Sequence, residues 1–324
     1  MNTRLLLLLT LLAASASNRG AAGGATMQAA LAGAGTVRLQ TLARPAAAAG
    51  QVLVKLRFAG VNPADWEDAP ARAAAIPGLD GSGVVMGLGA GVTGYRIGDP
   101  VIVWSRARGT YAQYVAVPAQ TLVHKPGALS FEQAAGMAHA GLAAWNMLID
   151  VAQVRAGQSV LVLGGAGGVG SAAVQIAKIS GAHVIATAAT DNVDYLSSIG
   201  ADQVIDYTRA HFEDLVRNAD IVINTVDADN AYRGLAVLRP GGFLVSVNGL
   251  PSPDQCAARR VRCSDRTMSG TPAAVALRQL AEWSQAGRYR VNIDRIFTLS
   301  EVMKAWGYSQ AGHTRGKSVI RIDP

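Results

Sequence analysis

From Val160 onward the chain repeats one pattern: a short apolar run, a glycine or polar turn, then a stretch with helical spacing. The apolar runs at residues 160–163, 183–187, 203–206, 221–225 and 243–247 are too short for helices and rich in β-branched residues, so they predict buried strands. Gly241-Gly242 supplies the turn before the last of these, and a weaker sixth strand is expected within residues 261–268. Such alternation predicts a parallel sheet covered by helices on both faces. Residues 27–130 read differently. The partly alternating run 51–58 and the short runs 81–85, 100–104 and 111–118 lie between glycine and proline turns, which predicts a compact β-barrel-like domain. Between the two regions, Ser130 and Gln133 have capping-box spacing, and Ala134, Met137 and Ala138 continue a helix from Phe131. A second helix is expected over 142–149. At the far end, a helix over 273–285, a strand over 293–299, a helix over 300–309 and a strand over 317–322 predict a tail that returns to the first domain.

The strand at 160–163 runs into Gly164-Gly165-Ala166-Gly167-Gly168-Val169-Gly170, and a helical stretch containing Val174, Ile176 and Ala177 follows. Gly165, Gly167 and Gly170 fit G-x-G-x-x-G in the strand–turn–helix setting that gives this motif meaning. The first glycine permits the tight turn, the second lets a pyrophosphate approach the backbone, and the third lets the helix pack close. Residues Gly165, Ala166, Gly167, Gly168, Val169 and Gly170 are therefore the expected dinucleotide cradle, with the helix N-terminus facing the phosphates. A ribose-binding acid belongs about 20 residues further on. Ala188-Ala189-Thr190 stands there instead, and Asp191 reads as part of the next helix's first turn. Missing negative charge leaves room for a 2′-phosphate with Thr190 as hydroxyl donor, so NADPH is expected over NADH. Thr225-Val226 and Asn248-Gly249 end the fourth and fifth strands, where backbone groups would fix the nicotinamide end.

Composition narrows the picture. The chain has 324 residues, half of them hydrophobic, which is enough for two domains. Lys plus Arg number 29 against 22 acidic residues, a net +7, but the basic residues are scattered. The one tight group, Arg259-Arg260 with Arg262, has no interleaved aromatics and reads as solvated surface, so no nucleic-acid partner is expected. Two cysteines, Cys256 and Cys263, exclude a four-thiolate zinc lobe and a disulfide-built fold; they are either free thiols or, in an oxidising compartment, one bridge. At the start, Arg4 precedes a leucine run over 5–12 and the small-residue stretch Ala14-Ser15-Ala16. This is the layout of a secretory signal peptide, too short to span a bilayer. Residues 1–26 are read as leader and Gly/Ala linker. Export is favoured; the alternative is a cytoplasmic protein whose translation begins at Met27.

Several stretches then fall in a familiar order: Gly60-Val61-Asn62-Pro63-Ala64-Asp65-Trp66, Pro77-Gly78-Leu79-Asp80-Gly81-Ser82-Gly83, Gly98-Asp99-Pro100-Val101, Ala140-Gly141-Leu142-Ala143-Ala144-Trp145, the glycine turn, Gly200-Ala201-Asp202-Gln203-Val204-Ile205-Asp206-Tyr207 and Gly316-Lys317-Ser318-Val319. With these the chain resembles the medium-chain dehydrogenase/reductase superfamily, in its zinc-independent quinone oxidoreductase group. The resemblance implies an α/β protein: a GroES-like partly closed β-barrel domain over 27–130 plus 276–324, a Rossmann doubly wound parallel-sheet domain over 131–275, and an active site in the cleft between them. It also implies a homodimer through the Rossmann sheet edge.

The zinc enzymes of that superfamily use a Cys, a His-Glu pair and a further Cys or Asp. Here Asn62 takes the first position and Leu79-Asp80 the pair, while His124, His139, His183, His211 and His313 are dispersed, so no metal is expected. The resemblance then implies hydride transfer from NADPH to a small quinone or α,β-unsaturated carbonyl. It casts Asn62 near the nicotinamide ribose or substrate oxygen, with its amide donating to a developing oxyanion. Trp66 stands where related reductases place a Tyr and offers a stacking face and an N–H, leaving water to supply the proton. The plain alternatives are a turn asparagine and a core aromatic. Trp104 and His139 either line the cleft or are structural. Tyr207 matches an adenosine-side Tyr, Val193 replaces a phosphate-binding Lys, Ala143 replaces a hydroxyl residue, and Arg315 and Lys317 are expected to approach the cofactor. Two other functions stay open: an enoyl-thioester reductase of the same fold, and a non-catalytic NADPH-binding redox sensor or structural protein.

Overall fold

A computed structural model describes residues 25–33, 36–68, 74–265 and 270–322. The leader and the end of the expected sixth strand lie outside the described residues. Thr26–Gly33 (β1) and Thr36–Ala43 (β2) form an antiparallel hairpin. The first large sheet has seven strands. It is built from Gln51–Gly60 (β3), Asp80–Leu88 (β4), Pro100–Trp104 (β5), Tyr114–Pro118 (β6) and Leu122–His124 (β7), with Ile293–Thr298 (β14) and Lys317–Arg321 (β15) from the far end of the chain. β15 runs antiparallel to β3, with Val319 opposite Gly60, so the tail does close back on the first sheet. The short helix Pro63–Glu67 (α1) follows β3, and Val302–Gln310 (α9) links β14 to β15.

The second sheet is parallel and has six strands in the order β10-β9-β8-β11-β12-β13. These are Ser159–Leu163 (β8), His183–Ala188 (β9), Gln203–Asp206 (β10), Ala219–Asn224 (β11), Leu238–Ser246 (β12) and Arg262–Ser264 (β13). The apolar runs divide between two cores. Val160, Val162, Val184, Ile221 and Ile223 pack with Val174 and Ile176 of Gly168–Ile179 (α3), whereas Leu161, Leu163, Val222 and Leu244 pack with Phe212 and Leu235 on the other face. Strands buried on both faces read as continuous apolar runs, which is why these were legible. Together the two sheets give the α/β, GroES-like barrel plus doubly wound architecture that the resemblance implies.

Two expectations need correction or completion. The two helices expected after Ser130 are one: Phe131–Trp145 (α2) passes directly into a π-helical turn over Asn146–Val151. Gly141 does not end the helix. A Cβ there would lie 2.7 Å from Leu280 Cδ1, so the glycine lets Ala273–Gln285 (α8) approach. Cys256 and Cys263, left open above, form a disulfide that ties Pro253–Ala258 (α7) to the edge strand β13. Among the described residues no helix is long and apolar enough to cross a bilayer.

Candidate active site

The glycine turn folds as its spacing demands. Gly164 has φ +76°, and a Cβ on Gly170 would sit 2.1 Å from the Gly164 carbonyl oxygen, so the third motif glycine is required for the helix to close on the turn. A Cβ on Gly167, by contrast, would meet nothing nearer than 3.7 Å, leaving that face free for a phosphate. Gly167 caps α3 without any side-chain hydrogen bond, so the first N–H groups of the helix, from Gly168, Val169 and Gly170, remain for a ligand. A glycine cradle and an uncapped helix start are what a dinucleotide pyrophosphate fits.

Around this cradle the structure gathers the other cofactor-side residues. Thr225 Oγ1 donates to the Leu163 carbonyl at 2.8 Å, and Thr225 and Val226 pack over Gly164. Asn248 Nδ2 donates to the Val226 carbonyl at 2.8 Å, joining the two strand ends expected near the nicotinamide. Gly249 has φ +84° and lies against Ala228. At the adenosine end, Tyr207 is 55% exposed. Thr190 Oγ1 donates to Asp206 Oδ2 at 2.6 Å, and this bond, with one from Thr208, holds the Asp206 carboxyl below the usual carboxylate range. Sequence reading missed Asp206; it takes the Thr190 hydroxyl hydrogen, which corrects the expectation that Thr190 donates to a 2′-phosphate. Arg315, from the segment between α9 and β15, reaches the turn after β9. Its Nε donates to Asn192 Oδ1 and its Nη2 to the Asp191 carbonyl, both at 2.6 Å. No carboxylate among the described residues pairs with its charge.

Lys317 is placed otherwise than expected. Its stem crosses the cradle, with Cδ 2.7 Å from where a Cβ on Gly168 would be, but its head leaves the phosphates behind. Nζ donates to Asn62 Oδ1 and to the Val61 carbonyl, both at 2.6 Å, in a fully buried position. It joins a cluster built on the Asn62 turn. Asn62 and Asp65 form a capping box at the start of α1, with the Asn62 N–H donating to Asp65 Oδ2 at 2.9 Å. Asn62 Nδ2 donates to Asp80 Oδ1 at 2.7 Å and to Asp65 Oδ2 at 3.3 Å. Both amide hydrogens are thereby used, which corrects the expectation that Asn62 donates to a substrate oxyanion. Asp80 Oδ2 accepts the His139 backbone N–H from α2 at 2.8 Å.

Behind this group, Tyr111 Oη donates to Asp65 Oδ2 at 3.0 Å, and Arg108 reaches Asp65 at 3.5 Å and Asp68. Arg108 is buried and has φ +67°, a left-handed conformation held by reciprocal bonds with Ser105. Burial, and secondly the charge of Asp80, push the Asp65 carboxyl up to about 7, against the bonds from Asn62 and Tyr111 and the attraction of Lys317. Burial likewise lowers the Lys317 ammonium, opposed by Asp80 and Asp65. Trp66 does not join the cluster: its Nε1 donates to Ser309 Oγ on α9 at 3.4 Å, so it fastens α1 to α9. Trp104 ends β5 among core residues.

The comparisons with known proteins agree with this arrangement. Residues 48–127 match the alcohol dehydrogenase GroES-like domain, residues 199–320 the zinc-binding dehydrogenase family, and residues 133–231 the alanine dehydrogenase/PNT C-terminal domain. The 2-methylene-furan-3-one reductase of Solanum lycopersicum is 34% identical, the match covering 85% of this chain and 72% of that protein. The chloroplastic NADPH-dependent alkenal/one oxidoreductase of Arabidopsis thaliana is 32% identical, covering 83% and 72%. The quinone oxidoreductase from Coxiella burnetii superposes with a TM-score of 0.83 at 29% identity over 92% of this chain and all of that one. The chain belongs to the medium-chain dehydrogenase/reductase superfamily and is a nicotinamide-dinucleotide oxidoreductase. Its named relatives are reductases of enones, alkenals and quinones.

Proposed function

We propose that the protein transfers hydride from NADPH to a small quinone or α,β-unsaturated carbonyl without a metal. The observation that carries this reading is Lys317, which runs from the cofactor cradle at Gly168 to Asn62 and so brings a buried cation to the junction of the two domains. A reduced nicotinamide bound on the cradle supplies the hydride. The chain's own residues orient the reactants and provide positive charge where an acceptor becomes negative. The positions at which zinc relatives hold metal are here bonded to one another: Asn62 lies between Asp80 and Lys317, and among the described residues no three His, Cys, Asp or Glu side chains converge as ligands. An acceptor whose conjugation spreads the incoming charge suits such a site.

NADPH over NADH rests on Arg315, whose unneutralised guanidinium stands beside the Thr190–Asn192 turn. Tyr207 and the backbone of this turn complete the adenosine side. Export is supported by the leader-like start and by the Cys256–Cys263 disulfide, a bond that persists in oxidising compartments. A homodimer would pair through β13, the end strand of the parallel sheet. The deciding measurement is stopped-flow oxidation of NADPH against a panel of quinones and enones. Oxidation faster than in buffer is expected. Measurable NADPH binding with no acceptor-dependent oxidation, or stoichiometric zinc in the purified protein, would overturn the reading.

A further inference from the structure

Hydride transfer to a quinone or enone leaves an oxyanion that must gain a proton, and the residues first expected near it are occupied. Both amide hydrogens of Asn62 go to aspartates, the indole N–H of Trp66 goes to Ser309, and two of the three hydrogens on Lys317 Nζ go to Asn62 and Val61. His139 is different. Asp80 holds only its backbone N–H, and neither ring nitrogen is hydrogen-bonded to any described residue. The residue is partly exposed. Its neighbour Ala140 touches the cradle, 3.7 Å from where a Cβ on Gly168 would be. His139 is thus carried on the stretch of α2 whose backbone bonds Asp80 and whose next residue touches the cofactor turn. The charged groups facing it are Asp80 of β4, Lys317 of β15 and Arg108 from the segment after β5.

Building on the reading above, we propose that His139 delivers the proton that completes the reduction. The hydride forms a new C–H bond at the acceptor's β-carbon, the C=C pair shifts, and the carbonyl π pair moves onto oxygen. The His139 imidazolium N–H then breaks as an O–H bond forms. The cofactor is oxidised by two electrons, the acceptor is reduced by two, and neutral His139 regains its proton from water. The enol so formed becomes the saturated carbonyl by losing this proton to water and gaining one at the α-carbon; a quinone reaches its hydroquinone when the ring carbon that took the hydride loses a proton and the second oxygen gains one, both through water. The active form is protonated. Burial first, then Lys317 and Arg108, hold the ring below its ordinary value of 6.5, against Asp80. Turnover therefore increases as pH falls and is lost as pH rises through the His139 pKa.

The test compares kcat and kcat/KM of wild type, H139A and H139Q across about pH 5 to 8. Wild type loses activity as pH rises, whereas the variants lose about 10²-fold at the acid end and respond little to pH. Added imidazole restores part of the H139A rate. In cofactor-free protein, NMR titration of the His139 ring shifts when hydroquinone is added. Should H139A fail to fold, H139Q carries the comparison, with its melting temperature as the check. Variants that keep the wild-type pH profile, or a ring titration blind to hydroquinone, overturn the proposal. A wild type that binds NADPH but shows no acceptor-dependent oxidation at any pH overturns the functional reading instead, and the two failures are told apart by that control.

Discussion

The cofactor cradle and the Asn62 cluster lie at opposite ends of one lysine side chain, yet they are made in different ways. The cradle is backbone. Its shape follows from the absence of side chains at Gly165, Gly167 and Gly170, all within one turn of chain: a Cβ on Gly165 or Gly170 would crowd the protein itself, whereas one on Gly167 would enter only the space left for a ligand. The cluster is side chains brought from β4, β15, α1 and the segment before β6, with one backbone N–H from α2, and its members hold one another by charge and hydrogen bonds. A site of the first kind tolerates loss of charge but not added volume. A site of the second kind tolerates modest volume but not an unmatched charge.

Substitutions should separate the two. The largest effect is expected for K317M, which leaves Asp80 and Asp65 without their buried cation. Unfolding in urea should show a loss of about 2–5 kcal/mol, because the Asn62 and Val61 oxygens lose a charged donor and the buried carboxyls lose a nearby opposite charge. G170A comes next, since its Cβ would strike the Gly164 carbonyl, at a cost of about 1–3 kcal/mol of overpacking. G167A sharpens the contrast. With nothing closer than 3.7 Å it should leave the melting temperature unchanged while weakening NADPH binding, measured by fluorescence titration. Then comes pH. The Asp65 carboxyl is held at about 7 in the folded protein against 3.8 when free, so the fold keeps this proton more tightly than the unfolded chain does. The stability that this group contributes is complete below pH 3.8 and is lost as pH rises towards 7, by up to about 1.4 kcal/mol per unit. In D65N that slope should disappear from urea unfolding measured at successive pH values. The smallest effect is expected at the cradle's rim. R315A should raise the Kd for NADPH about tenfold, some 1.4 kcal/mol, and leave that for NADH nearly unchanged.

The same contrast explains what could be read from the chain. The parallel strands and the cradle were legible because both are written in consecutive residues: β8, the turn and the start of α3 form a single run. The barrel's return strand was legible as an apolar run at 317–322, but the destination of the Lys317 head was not, since its partner Asn62 is 255 positions away. Asn62 itself stood out, yet its role changed once Asp65 and Asp80 were seen to take both of its hydrogens. Asp65 carried a local signal, the capping-box spacing from Asn62, that could have marked it beforehand. Asp206 carried none beyond its place at a strand end. The second helix expected over 142–149 was instead a continuation of α2 through Gly141, a residue that costs helix stability. Only the packed α8 shows why a side chain could not stand there.

Gly316 and Lys317 are consecutive, and each fastens a different half of the molecule. The Gly316 N–H donates to the Ala166 carbonyl at 2.8 Å in the glycine turn, while the next residue reaches Val61 and Asn62 at the end of β3. The last strand is therefore a latch across one side of the cleft, and the halves cannot part there without breaking it. A chain shortened before this dipeptide would lose this latch and, with Val319, Ile320 and Ile322, part of the first sheet's own core.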